Sequence, residues 1–240
     1  NNNNLSKKIL SWYDNNKRTL PWRISQKFDR KQYYRILSEF MLQQTQVKTV
    51  IPYFNNFVKK IPNLKTLSKC NGKKVLKLWE GLGYYTRAKN LHKTSKILIK
   101  KYNGQIPKNF EELKKLPGIG DYTANILLAL IYNQPRVAFD GNVKRVLSRL
   151  FNISTEDVVY LFKTKRNGDL AEALIEFGAL ICKPKDPRCN ECKIKKMCAY
   201  YESESKITFR RKIKIQSKNY DIFCYLKKNK KQIALTKNNN

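Results

Sequence analysis

The chain has 240 residues, of which 41% are hydrophobic, a share sufficient for the core of one large domain or two small ones. Lysine and arginine number 50 against 18 acidic residues, so the formal net charge of +32 favours a polyanion such as nucleic acid, although part of this excess reflects a general abundance of Lys and Asn. The longest apolar run, 126–132, is too short to span a bilayer, a single histidine excludes a His-based zinc site, and no phosphate-binding Gly-x-x-x-x-Gly-Lys-Ser/Thr loop supports nucleotide hydrolysis.

Apolar residues recur at helical spacing from 5 to about 181, with breaks at Pro, Gly and Asn clusters, so the body is predicted to be all-α. The predicted helices cover residues 5–16, 30–47, 52–60, 73–80, 84–101, 109–116, 121–132, 141–151, 155–165 and 168–181. Residues 203–219 are basic and polar, as in a linker, and 220–226 and 232–236 have the pattern of two strands. Because one hairpin cannot stand alone, a second domain is predicted to begin there and to be truncated.

Glu39 lies in a predicted helix whose hydrophobic neighbours crowd it. An acid so placed has a raised pKa and is able to donate a proton near neutral pH. Asp140 precedes the helical segment 141–147 and is the second candidate carboxylate. The alternatives are a solvated glutamate and an ordinary helix cap, a position that Asp fills well. Together the two acids suit cleavage of a glycosidic bond, which needs a proton donor and a carboxylate that stabilises positive charge on the sugar.

Residues 116–120 lie between two predicted helices and contain Gly118 and Gly120, which permit a tight turn with unobstructed amides at a helix start. Such a turn binds the DNA backbone without reading its sequence, and a plain helix–helix turn is the alternative. Chemistry on a base in a duplex requires the nucleotide to be extruded, so a side chain must fill the vacated stack. Gln44 and the aromatic loop 81–85 are the candidates, with core packing as the alternative for Tyr84.

Cys182, Cys189, Cys192 and Cys198 are separated by six, two and five residues, a spacing that wraps one short loop around an inorganic centre. A structural zinc site usually brings two short pairs of ligands, and only the middle two cysteines form such a pair. The spacing therefore favours a cubane [4Fe–4S] cluster. Zinc, disulfides and buried free thiols are the alternatives.

In this order the motifs resemble the helix-hairpin-helix DNA glycosylases, and specifically the MutY-type adenine DNA glycosylase family. The resemblance is carried by 20–23, 38–47, 81–85, 116–120, 140–146 and the cysteine loop, and it covers about 5–198. It implies a six-helix barrel with a helix-hairpin-helix motif, packed against a helical [4Fe–4S] module. The implied boundaries are 5–30 and 137–202 for the cluster module, 31–136 for the barrel, 203–219 for the linker and 220–240 for the start of a truncated Nudix-like domain.

The resemblance also implies roles for single residues. Glu39 would protonate adenine, Asp140 would face the sugar cation, and Tyr122 and Asn142 would assist them. The remaining implied contacts are a DNA-binding set, Gln44, Tyr84, Leu116, Gly118, Gly120 and Lys144, and a base pocket, Arg18, Leu20, Trp22 and Arg23. The implied substrate is double-stranded DNA with adenine opposite 8-oxoguanine or guanine, acted on by a monomer that needs no membrane. The nucleus is the expected location, with the bacterial cytoplasm or a DNA-containing organelle as alternatives.

The rival reading is a pyrimidine or mismatch glycosylase of the endonuclease III branch, which shares the hairpin, the aspartate and the cluster. In that branch a lysine at position 122 attacks the sugar, whereas the phenol of Tyr122 forms no imine. Tyr122 therefore predicts hydrolysis without strand cleavage, and Glu39 with the following Gln-Gln-Thr favours adenine. A DNA-binding or redox-sensing iron–sulfur module without catalysis remains the reading from another functional class.

Overall fold

The computed structural model describes residues 2–24, 27–151, 164–202, 222–226 and 233–237. Their helices are α1 (Asn2–Asn16), α2 (Phe28–Leu42), α3 (Val47–Lys60), α4 (Leu64–Lys69), α5 (Gly72–Leu78), α6 (Thr86–Tyr102), α7 (Phe110–Lys114), α8 (Asp121–Tyr132), α9 (Gly141–Phe151), α10 (Asn167–Leu180) and α11 (Ala199–Glu202). Short 3₁₀ turns occur at Pro21–Arg23, Cys189–Glu191 and Lys195–Met197. The prediction of an all-helical body is confirmed, and no helix among these is long and apolar enough to cross a membrane.

Two compact units divide the chain, Asn1–Lys206 and Ile207–Asn240. In the second unit, β1 (Ile222–Leu226) pairs antiparallel with β2 (Ile233–Lys237), with Cys224 opposite Leu235. These strands occupy the segment for which two strands are predicted. That they begin a Nudix-like domain stays a prediction.

The helices differ from the prediction at several places in the first unit. The predicted helix 30–47 ends at Leu42 because Gln44 adopts a left-handed backbone (φ 56°), which an α-helix cannot contain. Helix α3 begins at Val47 rather than at residue 52, and the short helices α4 and α11 were not predicted. The predicted helix 155–165 falls mostly outside the described residues.

Asparagine residues mark the beginning or the end of several of these helices. Asn63, Asn71 and Asn109 are N-caps, and each side-chain oxygen accepts a hydrogen bond from a backbone N–H of the first turn, at 2.8–3.1 Å. Asn103 and Asn133 lie in the left-handed region at the C-terminal ends of α6 and α8. The abundance of Asn is thus partly used to set helix boundaries.

Buried apolar side chains of the first unit form a large cluster from α2 to α8 and a second cluster from α1, α9, α10 and the cysteine loop. Helix α8 is largely apolar and contributes to the large cluster and to a third, smaller one. Its Leu127 and Leu128 belong to the large cluster, whereas Ala129 and Leu130 pack against Ala138 and α10. Helix α8 therefore packs between α2 and α10.

Glycines on α10 allow this close packing. A Cβ added at Gly178 would lie 2.6 Å from Asn142 Cβ and 3.0 Å from the Asn142 carbonyl oxygen. A Cβ at Gly168 would lie 2.7 Å from the Ala129 carbonyl oxygen. Helix α10 therefore approaches the first turn of α9 and the end of α8 by its bare backbone.

We expect Gly178→Ala to destabilise the protein by about 1–3 kcal/mol, because the methyl group must push α9 away from α10. The thermal midpoint measured by circular dichroism should fall by roughly 2–4 °C for each kcal/mol. Gly72→Ala is the control, since its Cβ would meet only ordinary contacts with His92 at 3.7 Å. Equal midpoints for the two variants would contradict the close approach.

Candidate active site

Glu39 lies on the inner face of α2 and is 8% exposed. Burial raises the pKa of Glu39 to about 7; the nearby Arg35 guanidinium opposes this rise and the carboxylate of Glu172 adds to it. The predicted raised pKa of Glu39 is thus present in the structure, and its cause is the apolar helix packing inferred from the sequence. An acid of this kind is half protonated near neutral pH.

Asp140 is held at the start of α9. Its Oδ1 accepts a hydrogen bond from the Val143 backbone N–H at 2.7 Å, and its Oδ2 accepts one from Asn142 Nδ2 at 2.9 Å. The residue is therefore a helix cap, as the alternative reading held, and it faces a cavity as well. Two hydrogen bonds thus hold both oxygens of the side chain in place at the start of the helix.

Both acids line one cavity of about 320 Å³, a volume in the range of small-molecule sites. The walls are formed by Glu39, Leu42, Gln43, Gln44, Tyr122, Phe139 and Asp140. The structure therefore brings together the predicted acid, the predicted carboxylate and the predicted tyrosine from α2, α8 and the start of α9. Two carboxyl groups in such unlike surroundings can divide the roles of proton donor and anion.

Tyr122 lies in the first turn of α8. Burial is the largest cause that raises the pKa of its phenol well above the usual value, followed by the charges of Glu39 and Asp140. The phenol is therefore neutral at physiological pH. It can hydrogen-bond to a reactant or a water, and it cannot act as an anionic nucleophile.

Gln44 and Tyr84 are exposed and share a rare backbone conformation. Tyr84 is 62% exposed with φ 47°, and Gln44 has φ 56°. Left-handed backbone is costly for residues other than glycine and persists only where the surroundings enforce it. The structure therefore favours projection of Tyr84 over the alternative of core packing.

Arg87, which sequence reasoning missed, enforces both conformations. Its Nη1 donates to the carbonyls of Phe40, Met41 and Gln43 at the end of α2, and its Nη2 donates to those of Leu82 and Gly83. Its guanidinium also lies 5.3 Å from the centroid of the Tyr84 ring. A single buried side chain thus connects the two loops that carry Gln44 and Tyr84. A lone Arg on a helix gives no sequence signal for this role.

The hairpin 116–120 packs tightly against α2 and α6. Gly118 has φ 81°, and a Cβ there would lie 2.8 Å from Phe40 Cε1 and 2.9 Å from Asn90 Cβ. Gly120 is the N-cap of α8 and has open space around it. Leu116 is 3% exposed, so any contact it made with DNA would come from its main chain. Lys144 is exposed one turn after Asp140.

An ion pair beside this hairpin was also missed by sequence reasoning. Lys114 Nζ lies 2.7 Å from Asp121 Oδ1, and Asp121 is the first residue of α8. The carboxylate therefore stands at the helix start where an anion would otherwise be favoured.

The residues predicted for the base pocket are not all in one place. Arg18, Leu20 and Arg23 line a second cavity of about 410 Å³, together with Tyr13, Arg35 and Glu172. Trp22 is buried in the core, where its ring meets Phe54 edge-on at 5.2 Å. The role of these four residues in binding a base stays a prediction.

The four cysteines surround a small cavity with apolar walls that include Leu150 and Phe177. Burial raises the pKa values of Cys189 and Cys198, and it raises that of Cys192 to about 11. Thiols in such surroundings stay protonated unless a metal centre stabilises the thiolates. No group of three or more His, Cys, Asp or Glu side chains within the described ranges converges as a single ion would require.

Two arginines of α9 hold the cysteine loop. Arg149 donates to the carbonyls of Lys183 and Pro184 and approaches Cys182 Sγ at 3.5 Å. Arg145 donates from Nε to the Cys182 carbonyl at 2.8 Å and from Nη2 to Asn142 Oδ1 at 2.8 Å. Because Asn142 in turn donates to Asp140, a continuous chain of hydrogen bonds joins the cysteine loop to the cavity.

Known proteins share this fold and these motifs. Residues 37–166 match the model of the HhH-GPD superfamily of base excision DNA repair proteins. A thermostable thymine-DNA glycosylase superimposes with a TM-score of 0.74 at 26% identity, covering 83% of this chain and 95% of that one. A non-covalent endonuclease III–DNA complex gives a TM-score of 0.68 at 21% identity, covering 84% and 95%. The chain belongs to the HhH-GPD superfamily of base excision DNA repair proteins.

Among curated relatives, adenine DNA glycosylases resemble the chain over most of its length. The protein from Buchnera aphidicola subsp. Baizongia pistaciae is 41% identical over 94% of this chain, and that from Rattus norvegicus is 37% identical over 81%. The chain spans 62% of the Buchnera relative and 41% of the rat one.

We expect Arg87→Met to destabilise the protein by at least about 2 kcal/mol, since each buried carbonyl left without a donor costs roughly 1–3 kcal/mol. Amide hydrogen exchange should accelerate at residues 43–45 and 82–85, where the clamp is lost. Lys89→Met, an exposed position of the same helix, is the matched control. Unchanged exchange in both loops would show that Arg87 does not hold them.

Proposed function

We propose that the chain is the catalytic part of a DNA glycosylase that hydrolyses the N-glycosidic bond of adenine mispaired with 8-oxoguanine or guanine. The observation that carries the proposal is the single cavity in which a buried acid, Glu39, meets a capped carboxylate, Asp140. The identity to adenine DNA glycosylases over 94% of the chain supports adenine as the base.

In the proposed reaction, protonated Glu39 transfers its proton to a ring nitrogen of the extruded adenine. The bond between the sugar carbon C1′ and the base then breaks, its electron pair leaves with the neutral base, and positive charge develops on the sugar. Asp140, held in place by hydrogen bonds from Asn142 and the start of α9, stabilises that charge. Water adds to C1′ and returns a proton to Glu39, which leaves an abasic site.

DNA binding is proposed for the surface around the cavity. Gln44, which lines the cavity, and Tyr84 are fixed in strained, exposed conformations, as a wedge that fills the vacated stack requires. The open space at Gly120 permits a close approach of the DNA backbone, and Lys144 offers a positive charge near Asp140. The same proposal assigns DNA binding to Leu116 and Gly118. It assigns the base pocket to Arg18, Leu20, Trp22 and Arg23.

We further infer that Cys182, Cys189, Cys192 and Cys198 hold a [4Fe–4S] cluster. The four thiols line one small cavity with apolar walls, and a ligand set of thiolates alone from one short loop suits such a cluster. A bound cluster would supply bonds that brace the loop 182–198 and Arg149, and the hydrolysis itself transfers no electrons. The cluster module at 5–30 and 137–202, the six-helix barrel at 31–136 and a location in the nucleus are proposed on the same resemblance.

A second candidate is a mismatch glycosylase acting on thymine or uracil, which the superposition on a thymine-DNA glycosylase favours. Tyr122 predicts hydrolysis without strand cleavage for both candidates. One protein preparation assayed on A:8-oxoguanine, A:G, T:G and U:G duplexes distinguishes them. Binding without release of any base would favour the non-catalytic reading.

We expect an A:8-oxoguanine duplex to acquire an abasic site that breaks only after alkali, with a rate that falls as the pH rises through the Glu39 pKa of about 7, because only the protonated acid donates. Glu39→Gln should keep duplex affinity and lower the single-turnover rate by roughly 10²–10⁴. Asp29→Asn, an exposed acid on the same helix, is the control. Substantial activity in Glu39→Gln would remove Glu39 from the acid role, and cleavage without alkali would favour the lyase branch.

We expect protein purified without oxygen to be brown and to contain iron and acid-labile sulfide in equal amounts. Cys192→Ala should lose most of both and unfold at a lower temperature, because the loop and Arg149 lose their anchor. Cys70→Ala, outside the cysteine loop, should retain both. A colourless protein that contains zinc alone would contradict the cluster.

A further inference from the structure

A buried group of charges lies behind Glu39. Arg35 precedes Glu39 by one turn of α2, so both side chains lie on the same face of the helix. Arg35 is 9% exposed, and its Nη1 donates a short hydrogen bond to Glu172 Oε1 on α10. The Nε of Arg35 is buried without a partner among the described residues.

Glu172 is held from three sides. Besides Arg35, it accepts hydrogen bonds from the Tyr13 hydroxyl at 2.7 Å and from Arg23 Nε at 3.0 Å. Arg23 continues to Glu176 at 3.0 Å, and Arg18 reaches the same carboxylate at 2.7 Å. Three guanidinium groups thus face two carboxylates in this buried group of charges.

Stability alone does not account for the Arg35–Glu172 pair. Burying two charges costs several kcal/mol per ion before their attraction is counted, and apolar residues of similar volume often do better. The orphan Nε of Arg35 adds a further cost. What distinguishes the pair is its place, because it puts one charge of each sign beside the buried acid.

We propose that Arg35 and Glu172 are positioning residues that together decide how readily Glu39 keeps the proton that it delivers to the base. Arg35 favours the carboxylate form of Glu39 and Glu172 favours the acid form, while their direct hydrogen bond keeps both charges in place. This inference rests on the proposed function, in which Glu39 is the proton donor.

The other groups that face Glu39 come from the elements packed around it. Arg23 of the turn Pro21–Arg23 favours the carboxylate, whereas Asp140 before α9 favours the acid. Tyr122 of α8 is a neutral phenol at the pH of the assay. None of these groups changes in the variants below, so the comparison isolates the pair.

The test is the pH dependence of single-turnover base release from an A:8-oxoguanine duplex by the full chain. Arg35→Met should move the alkaline limb of the profile to higher pH by roughly 1–3 units, because Glu39 loses a nearby positive charge that favours its carboxylate form. Glu172→Gln, which keeps hydrogen-bonding atoms, should move the limb to lower pH by roughly 1 unit, because a negative charge that favours protonated Glu39 is lost. Arg35→Lys should return the limb towards its original position.

A purely structural role would not shift the alkaline limb in opposite directions in Arg35→Met and Glu172→Gln. A limb that stays in place while both variants lose rate at every pH would overturn the inference, and so would shifts in one direction. Lys77→Met and Glu80→Gln, which take apart an exposed ion pair, are the matched controls and should leave the limb in place.

A second measurement separates this inference from the proposed function. The infrared carbonyl band of protonated Glu39, identified by its loss in Glu39→Gln, can be titrated in the free protein without DNA. Opposite shifts of that titration in Arg35→Met and Glu172→Gln support the pair, and an unmoved titration overturns it. Failure of the unaltered chain to release adenine would instead contradict the proposed function.

Discussion

The burial of one carboxyl group, Glu39, is the constraint on which the rest of the site depends. Transfer of a charged carboxylate out of water is so costly that the group keeps its proton unless compensating charges stand close by. The protein supplies charges of both signs. Arg35 and Arg23 lower the pKa of Glu39, whereas Glu172 and Asp140 raise it. The pKa of Glu39 therefore lies near neutral pH, whereas Asp140, in the same cavity, is held by hydrogen bonds at the start of a helix. These unlike surroundings support the unlike roles proposed for the two groups.

Rigid elements keep these surroundings in register. Glu39 lies on α2, Tyr122 on α8 and Asp140 at the cap of α9, and α8 packs into the large cluster on one side and against Ala138 and α10 on the other. The bare backbone at Gly178 lets α10 approach Asn142, the donor to Asp140. The same helix carries Glu172 to the back of Glu39. Packing against α10 therefore contributes to the orientation of both carboxyl groups.

Local signals in the sequence were sufficient for most helices and for the two acids. Glu39 stands within an apolar helix and Asp140 before a helix start, and both features depend on neighbours in the chain. What could not be predicted depends on partners remote in sequence. Arg35 and Glu172 are 137 residues apart, and Arg87 meets Phe40 across 47. The early end of α2 belongs to the same class, because the carbonyls of Met41 and Gln43 accept hydrogen bonds from Arg87 rather than from a group nearby in the chain.

The clamp by Arg87 explains how exposed, strained residues can be kept ready for a large substrate. Left-handed backbone at Gln44 and Tyr84 costs roughly 1–3 kcal/mol at each position. A loop free to relax would lose that conformation in solution and would have to recover it at the expense of affinity. Because one buried guanidinium bonds both loops to the end of α2, folding itself offsets the strain, and the two side chains are held in place without any ligand. The helix that ends at this clamp also carries Glu39, so the same element sets the positions of the proposed wedge and of the proposed acid.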